Sequence, residues 1–216
     1  ARLNLMNDGL QSTAELQDMI YQSALRSRGA YTDTAAAVSK MGLLAGDAFN
    51  SNEETVAFVE QLNKQFKIAG TSTEGQAAAM LQLTQAMGAG VLRGEELNSV
   101  FEQAPTIIQA ITDYLGITTG ELRDMAADGQ ITAEIVKNAM FAAADETNAR
   151  FESIPMTWAD VWTQATNIAT MALQPLLEGI NWLANNLAVI APLMIGIGGA
   201  VGILVLLANW ANICAA

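Results

Sequence analysis

Carboxylates are the side chains of this sequence that are best suited to acid–base chemistry. The 216 residues include 22 Asp and Glu, no His and one cysteine, Cys214. The absence of His excludes His-dependent triads and imidazole zinc sites, and a single thiol excludes thiolate clusters and disulfides within the chain. Two carboxylates suffice for a glycosidase when they lie one or two ring widths apart. The candidates are Glu95, Glu96, Glu102, Asp124 and Asp128. No spacing selects a pair, so we predict no enzyme activity, no cofactor and no metal site.

A glycine-rich stretch, MGAGVLRGEEL, runs from Met87 to Leu97. Its order matches neither the dinucleotide-binding nor the P-loop spacing, and no strand is predicted before it, so it does not indicate a phosphate site. Each glycine costs roughly 1 kcal/mol in a helix interior, so we expect a bend or a close backbone contact here. Glu95 and Glu96 are predicted to lie in a helix first turn, with Arg93 paired to one of them across the bend.

The charge of the chain bears on its partners. The formal net charge is -12 and the sequence pI is near 4.2. Phosphate affinity requires clustered Lys and Arg, so we expect no specific nucleic-acid binding by this segment. Two close basic pairs, Arg26 with Arg28 and Lys64 with Lys67, are predicted to lie on solvated helix faces.

Cap signals predict an all-α fold in which short helices position these residues. Three Ser/Thr-x-x-Glu capping boxes are expected, at Ser51 with Glu54, Thr71 with Glu74, and Thr118 with Glu121. Gly70, Gly116 and Gly129 suit helix ends, and Pro105 suits a first turn. The predicted helices cover about 11–29, 33–49, 52–69, 72–88, 95–103, 105–115, 119–128, 132–150 and 157–208. Buried stripes are expected at Leu16, Ile20 and Ala24, and at Val59, Leu62, Phe66 and Ala69.

The chain is predicted to consist of a compact multi-helix head, residues 1–154, and a helical arm, residues 155–216. The arm begins with apolar residues at alternating spacings of three and four: Trp158, Val161, Ala165, Ile168 and Ala172, then Leu176, Ile180, Leu183, Leu187 and Ile190. Each set covers about two heptads, which is short for a coiled coil. Two interpretations therefore stay open: a coiled-coil seam, or packing of the stripes on the head.

The end of the arm is long and apolar enough to cross a bilayer. No residue after Glu178 is charged, and Leu187 to Ala208 is apolar apart from Pro192. Such a segment is predicted to form a hydrophobic helix or helical hairpin that inserts in a membrane; the alternative is a helix buried in a protein assembly. The residues expected to carry insertion are Leu187, Ile190, Pro192, Ile195, Gly198, Gly202, Leu204 and Leu207.

One stretch supports a family assignment. Residues 82–105, QLTQAMGAGVLRGEELNSVFEQAP, combine a Q-x-x-Q run, the glycine hinge, LRGEEL and a helix-opening proline. This ordered set resembles the N-terminal conserved region of phage tail tape measure proteins, and residues 24–42, 49–70 and 151–162 resemble further blocks of that family. The residues of the motif and hinge are Gln82, Gln85, Gly88, Gly90, Leu92, Arg93, Gly94, Glu95, Glu96, Leu97 and Pro105.

The resemblance implies a structural virion protein of a long-tailed phage or prophage. Such a protein sets tail length during assembly, occupies the tail tube lumen or tip, and is released at infection to help genome delivery. The implied partners are the tail tube protein, tail assembly chaperones, distal tail-tip proteins and, on ejection, the host inner membrane. A homo-oligomer, most often a trimer, is expected. The implied locations are the virion tail, the host cytoplasm during assembly and the host membrane on infection.

Other interpretations remain beside the resemblance. The sequence lacks an initial Met and stops just after the apolar stretch, so we expect a fragment of a longer chain. A stand-alone membrane-inserting helical pore protein would also explain the apolar arm. A tail-associated peptidoglycan hydrolase would instead use one of the carboxylates named above.

Overall fold

The computed structural model describes residues 2–185, and these residues are mainly helical. The helices are α1 (Arg2–Met6), α2 (Thr13–Arg26), α3 (Tyr31–Ala45), α4 (Asn52–Ala69), α5 (Thr73–Ala89), α6 (Gly94–Gln103), α7 (Pro105–Leu115), α8 (Thr119–Ala127), α9 (Ala133–Ala142), α10 (Ala144–Ser153) and α11 (Trp158–Asn185), with a 3-10 helix at Gly46–Ala48. The predicted all-α fold class is confirmed.

The described residues do not include the predicted hydrophobic span, 187–208. Within residues 2–185, no helix combines the length and the apolar character needed to cross a membrane. The chain divides into two compact units, one ending at Asn167 and the other beginning at Ile168.

The predicted single helix over 132–150 is wrong. Ala143 lies between α9 and α10 with φ −83° and ψ 0°, outside the helical values. The local sequence is rich in alanine and favours a continuous helix. The break lets α10 pack along α4, where Gln65 donates to Thr147 at 2.8 Å and Lys64 donates to Asn148 at 2.8 Å. Tertiary packing therefore overrides local propensity at this position.

Helix α4 forms the centre of the head. Phe58, Val59, Leu62 and Phe66 are fully buried on it. Around them lie α2, α3, α7, α9 and α10. The stripe predicted on α2, from Leu16 to Ala24, is also fully buried. Full burial of one such side chain contributes about 1.5–3 kcal/mol, so these two faces provide much of the driving force for folding.

The opposite side of α4 holds a buried ion pair network. Glu60 accepts three bonds from Arg26, two from Nε and one from Nη2, and one from Lys64, with the closest contacts at 2.7 and 2.8 Å. Burial favours a higher pKa for Glu60, but the hydrogen bonds from Arg26 and Lys64 outweigh it and hold this pKa below its usual range. The prediction of a solvated face is therefore wrong for Lys64, which the fold buries, whereas the side chain of Arg26 stays 56% exposed while it pairs with Glu60.

Candidate functional site

The glycine stretch forms a closed turn between α5 and α6. Helix α5 ends at Ala89, and the residue that caps its C-terminus, Gly90, has a left-handed backbone with φ 79°. The N–H of Leu92 donates to the carbonyl of Ile131 at 2.7 Å, and the N–H of Ala133 donates to the carbonyl of Gly90 at 2.8 Å. These two bonds tie the turn to the segment between α8 and α9, so it is a fixed corner of the head.

Gly88 and Gly94 have different roles from Gly90. Gly88 lies inside α5, where a Cβ would stand 2.5 Å from the carbonyl oxygen of Leu44 on α3. Only glycine lets the two helices approach this closely. A Cβ on Gly94, the first residue of α6, would have no neighbour within 4 Å. The stretch thus contains both expected features, a bend and a close backbone contact, at separate glycines.

The charged residues of the motif do not assemble into a reactive site. Arg93 lies beside Gly129 and is absent from the ion pairs that the described residues form, so the expected pair with Glu95 or Glu96 is not observed. Both carboxylates lie in the first turn of α6. Among the described residues, no cluster of His, Cys, Asp or Glu is suited to hold a metal ion. This part of the chain shows no constellation for acid–base chemistry.

The other motif residues are structural or exposed. Leu92 and Leu97 are buried in the core, and Pro105 opens α7. Gln82 is half-buried and Gln85 is exposed on α5. Of the remaining candidate carboxylates, Glu102 and Asp124 are exposed and Asp128 ends α8.

The predicted caps have three different outcomes. Thr118 and Glu121 form a reciprocal box at the start of α8. Ser51 caps α4 by accepting the N–H of Glu54 at 3.1 Å, but the Glu54 carboxylate accepts the N–H of Asn50 instead of closing the box.

The predicted box of Thr71 with Glu74 is wrong. Ser72 caps α5, with its hydroxyl accepting the N–H of Gly75 at 3.2 Å, and Glu74 lies in the first turn. The hydroxyl of Thr71 donates to the carbonyl of Gln103 at the end of α6. Thr71 therefore makes a tertiary contact, and the cap of α5 lies one residue later than predicted, at Ser72.

Reciprocal boxes that were not predicted form at two further helices. Ser12 and Glu15 form a reciprocal box at α2, and Thr157 and Asp160 do the same at α11. Both follow the spacing of the predicted boxes, with Asp in place of Glu in the second, so the signal was present in the sequence.

The outer face of α11 is an exposed apolar surface. Trp158 is 89% exposed and Trp162 is 76% exposed. Val161, Ile168 and Leu173 are exposed at compatible helical positions. We call these five residues the outer stripe. The part of the stripe before Ile168 does not pack on the head, contrary to one of the two interpretations left open above. The second predicted set, from Leu176 to Ile190, lies outside the described side chains.

The inner face of α11 carries polar groups. Asp160 and Asn167 are 4% and 3% exposed. Asp160 accepts a bond from Lys67 at 2.6 Å, and Asn167 bonds to the backbone of Gly29 and Tyr31. Burial favours a higher pKa for Asp160, but bonds from Lys67 and Thr157 outweigh it and lower the pKa. The side chain of Lys67 stays 35% exposed in this ion pair, so the solvated position that the sequence predicted is partly retained.

A groove of about 640 Å³ lies beside this contact, between α3, α4 and α5. Its wall is mainly apolar, with Ala37, Leu44, Phe66 and Met80 among the lining residues. Ligand sites usually combine such a wall with a few convergent polar groups. The titratable residues along this groove are Asp33, Lys40 and Lys67. They do not form a nucleophile and base arrangement.

These features define a class: an all-helical protein with an exposed apolar face on one helix. Residues 1–177 match the family model described as tape measure protein, and the chain belongs to that family. The family is structural, and membership supports a role in a phage tail and a location in the virion tail. No curated protein and no solved structure matches the chain.

Proposed function

We propose that this chain is the helical head and the beginning of the arm of a tape measure protein that sets tail length during assembly. It occupies the lumen or the tip of the tail tube and leaves at infection to help genome delivery. The family match over residues 1–177 supports this proposal. We retain 1–154 as the head and 155–216 as the arm.

The outer stripe is the observation that carries the mechanical part of the proposal. An exposed apolar helix face suits association with other helices of the same kind, because side chains then interlock along a seam. We propose that copies of this chain associate through the stripe, as a trimer, the state that the family resemblance implies. Large exposed apolar patches also mark protein interaction sites in general.

Further partners follow from the proposed location. The tail tube protein would surround the arm, and tail assembly chaperones would cover its apolar face before the tube forms. Distal tail-tip proteins would contact the head. Residues 187–208, which lie outside the described part of the chain, are proposed to enter the host inner membrane on ejection.

Self-association is tested by measuring the mass of the chain in mild detergent by size exclusion with light scattering. We expect an oligomer for the wild type and a monomer for the double variant V161E and I168E. The control is L5E with L10E, since these leucines are 74% and 76% exposed on the head. A monomeric wild type, or dissociation by the control as well, would refute association through the stripe.

The tape role is tested by changing the length of the arm in the phage. Inserting about 50 helical residues after Ala169 should lengthen the tail by about 75 Å, at 1.5 Å per residue. The same number of residues inserted at Gly9, an exposed loop position before α2, should leave tail length unchanged. Tails of wild-type length from the arm insertion would contradict the tape role. Peptidoglycan release by the purified chain would favour the hydrolase alternative.

A further inference from the structure

The inner face of α11 contacts the head through polar groups. Asp160, Gln164 and Asn167 lie four and three residues apart and therefore share one side of the helix. Asp160 and Asn167 are almost fully buried, while Trp158 and Trp162 on the other side are exposed. A surface helix usually turns its apolar side toward the core. In α11 this arrangement is reversed.

Asn167 completes a helix that lacks its own cap. Helix α3 follows Ala30, whose side chain supplies no capping bond. The carboxamide oxygen of Asn167 accepts the N–H of Tyr31 at 2.8 Å, and its nitrogen donates to the carbonyl of Gly29 at 2.8 Å. A residue 136 positions away from Tyr31 thus satisfies an unpaired donor at the start of α3.

Asp160 links the start of α11 to its attachment on the head. Its Oδ2 accepts the N–H and the hydroxyl of Thr157, both at 2.9 Å, which caps α11. Its Oδ1 accepts Lys67 at 2.6 Å. Just before the helix, Arg28 donates to the carbonyl of Ile154 at 2.8 Å. The carboxylate that begins α11 therefore also attaches it to α4.

The attachment is separate from the apolar core. Among the described residues of α11, none belongs to the buried apolar cluster of the head. Detachment would therefore expose polar groups, which water can pair in place of their protein partners. If the inner face of α11 were apolar, detachment of the helix would instead open the core to water.

We propose that residues 154–167 are a polar latch: they hold the start of the arm on the head and detach as a unit while the core stays closed. The outer stripe is exposed in both the attached and the detached state. Binding of a partner to the stripe and attachment to the head therefore do not compete. This inference does not depend on the proposed role in tail length.

Amide hydrogen exchange of the 216-residue chain tests the latch, with the variants N167A and K67M. We expect the Tyr31 amide and the amides of residues 161–167 to exchange roughly tenfold faster, as for the loss of one or two hydrogen bonds. Amides at Leu62 and Ile111, which are fully buried, should keep their rates. The variant N167D keeps the acceptor for Tyr31 and should restore part of the protection.

Matched controls separate the latch from general effects. N98A removes an exposed asparagine from α6, and K40M removes an exposed lysine from α3; neither should change exchange in α11. In a D160N background, K67M should add little to the amide exchange rates of α11, because the ion pair is already lost. The latch is refuted if core amides accelerate together with α11, or if N167A and K67M leave the exchange of Tyr31 and α11 unchanged. Circular dichroism checks that each variant keeps its helices.

Discussion

Helices α4 and α11 are both amphipathic, but they place their apolar faces in opposite environments. On α4, Phe58, Leu62 and Phe66 are fully buried among neighbouring helices. On α11, Trp158 and Trp162 face solvent while polar groups contact the head. The buried apolar face of α4 stabilises the head, whereas the exposed face of α11 is free for the proposed association, so substitutions should separate the two properties.

The largest expected effect tests the core side of this comparison. L62A removes a fully buried leucine from α4 and should lower the free energy of unfolding by about 3–5 kcal/mol, through lost transfer energy and a residual cavity. L10A removes the same atoms from a leucine that is 76% exposed and should change it by less than about 0.5 kcal/mol. Urea titration measures both. Similar losses would mean that α4 is not the centre of the fold.

The second effect tests the polar side of α4. E60Q leaves the buried Lys64 without its ion pair, while Arg26, whose side chain is 56% exposed, can regain water. We expect the free energy of unfolding to fall by about 3 kcal/mol, which is at the low end for breaking a buried ion pair. E152Q changes an exposed carboxylate on α10 and should have little effect.

Acid titration gives an independent measure of the same carboxylate. The pKa of Glu60 is lower in the folded chain than in the unfolded chain, where Glu has a value of about 4.3. Its stabilisation is thus fully present above about pH 4.3 and is lost as the pH falls through the lower folded value. Urea titrations between pH 6 and 3 should show a smaller acid dependence for E60Q than for E152Q. If the free energy of unfolding depends equally on pH in both variants, Glu60 does not cause the acid dependence.

A third, smaller effect distinguishes the two glycine roles in the motif. G88A places a Cβ against the Leu44 carbonyl and should cost about 1–3 kcal/mol, because the backbone of α3 must shift. G94A meets open space in the first turn of α6 and should leave stability unchanged or raise it by up to about 1 kcal/mol. Thermal unfolding checks the pair. A costly G94A would show that the glycine is needed at α6 rather than at the contact between α3 and α5.

The sequence predicts local features of this fold well and its tertiary features less well. The box at Thr118 and the turn at Gly90 follow from residues that are adjacent in the chain. The use of Thr71 to bind the end of α6 depends on a contact 32 residues away. The break at Ala143 has no local signal, because an alanine-rich run is compatible with a continuous helix.

The same limit applies to the site. The spacing of Trp158 and Val161 predicts an apolar stripe, but spacing alone does not say whether a stripe packs on its own head. Lys67 and Asp160 are 93 residues apart, and no local pattern indicates that they form an ion pair. The polar inner face of α11 is therefore visible only in the structure.

The smallest expected effect concerns the outer stripe, and it decides whether the comparison between the two helices holds. W162Q replaces an indole that is 76% exposed, so the free energy of unfolding should change by less than about 0.5 kcal/mol. The oligomer should nevertheless weaken, because an apolar contact between copies loses its area. Urea titration at low concentration and light scattering at high concentration measure the two properties on one variant. A loss above about 1 kcal/mol at low concentration, where copies are separate, would mean that this face of α11 packs on its own chain after all.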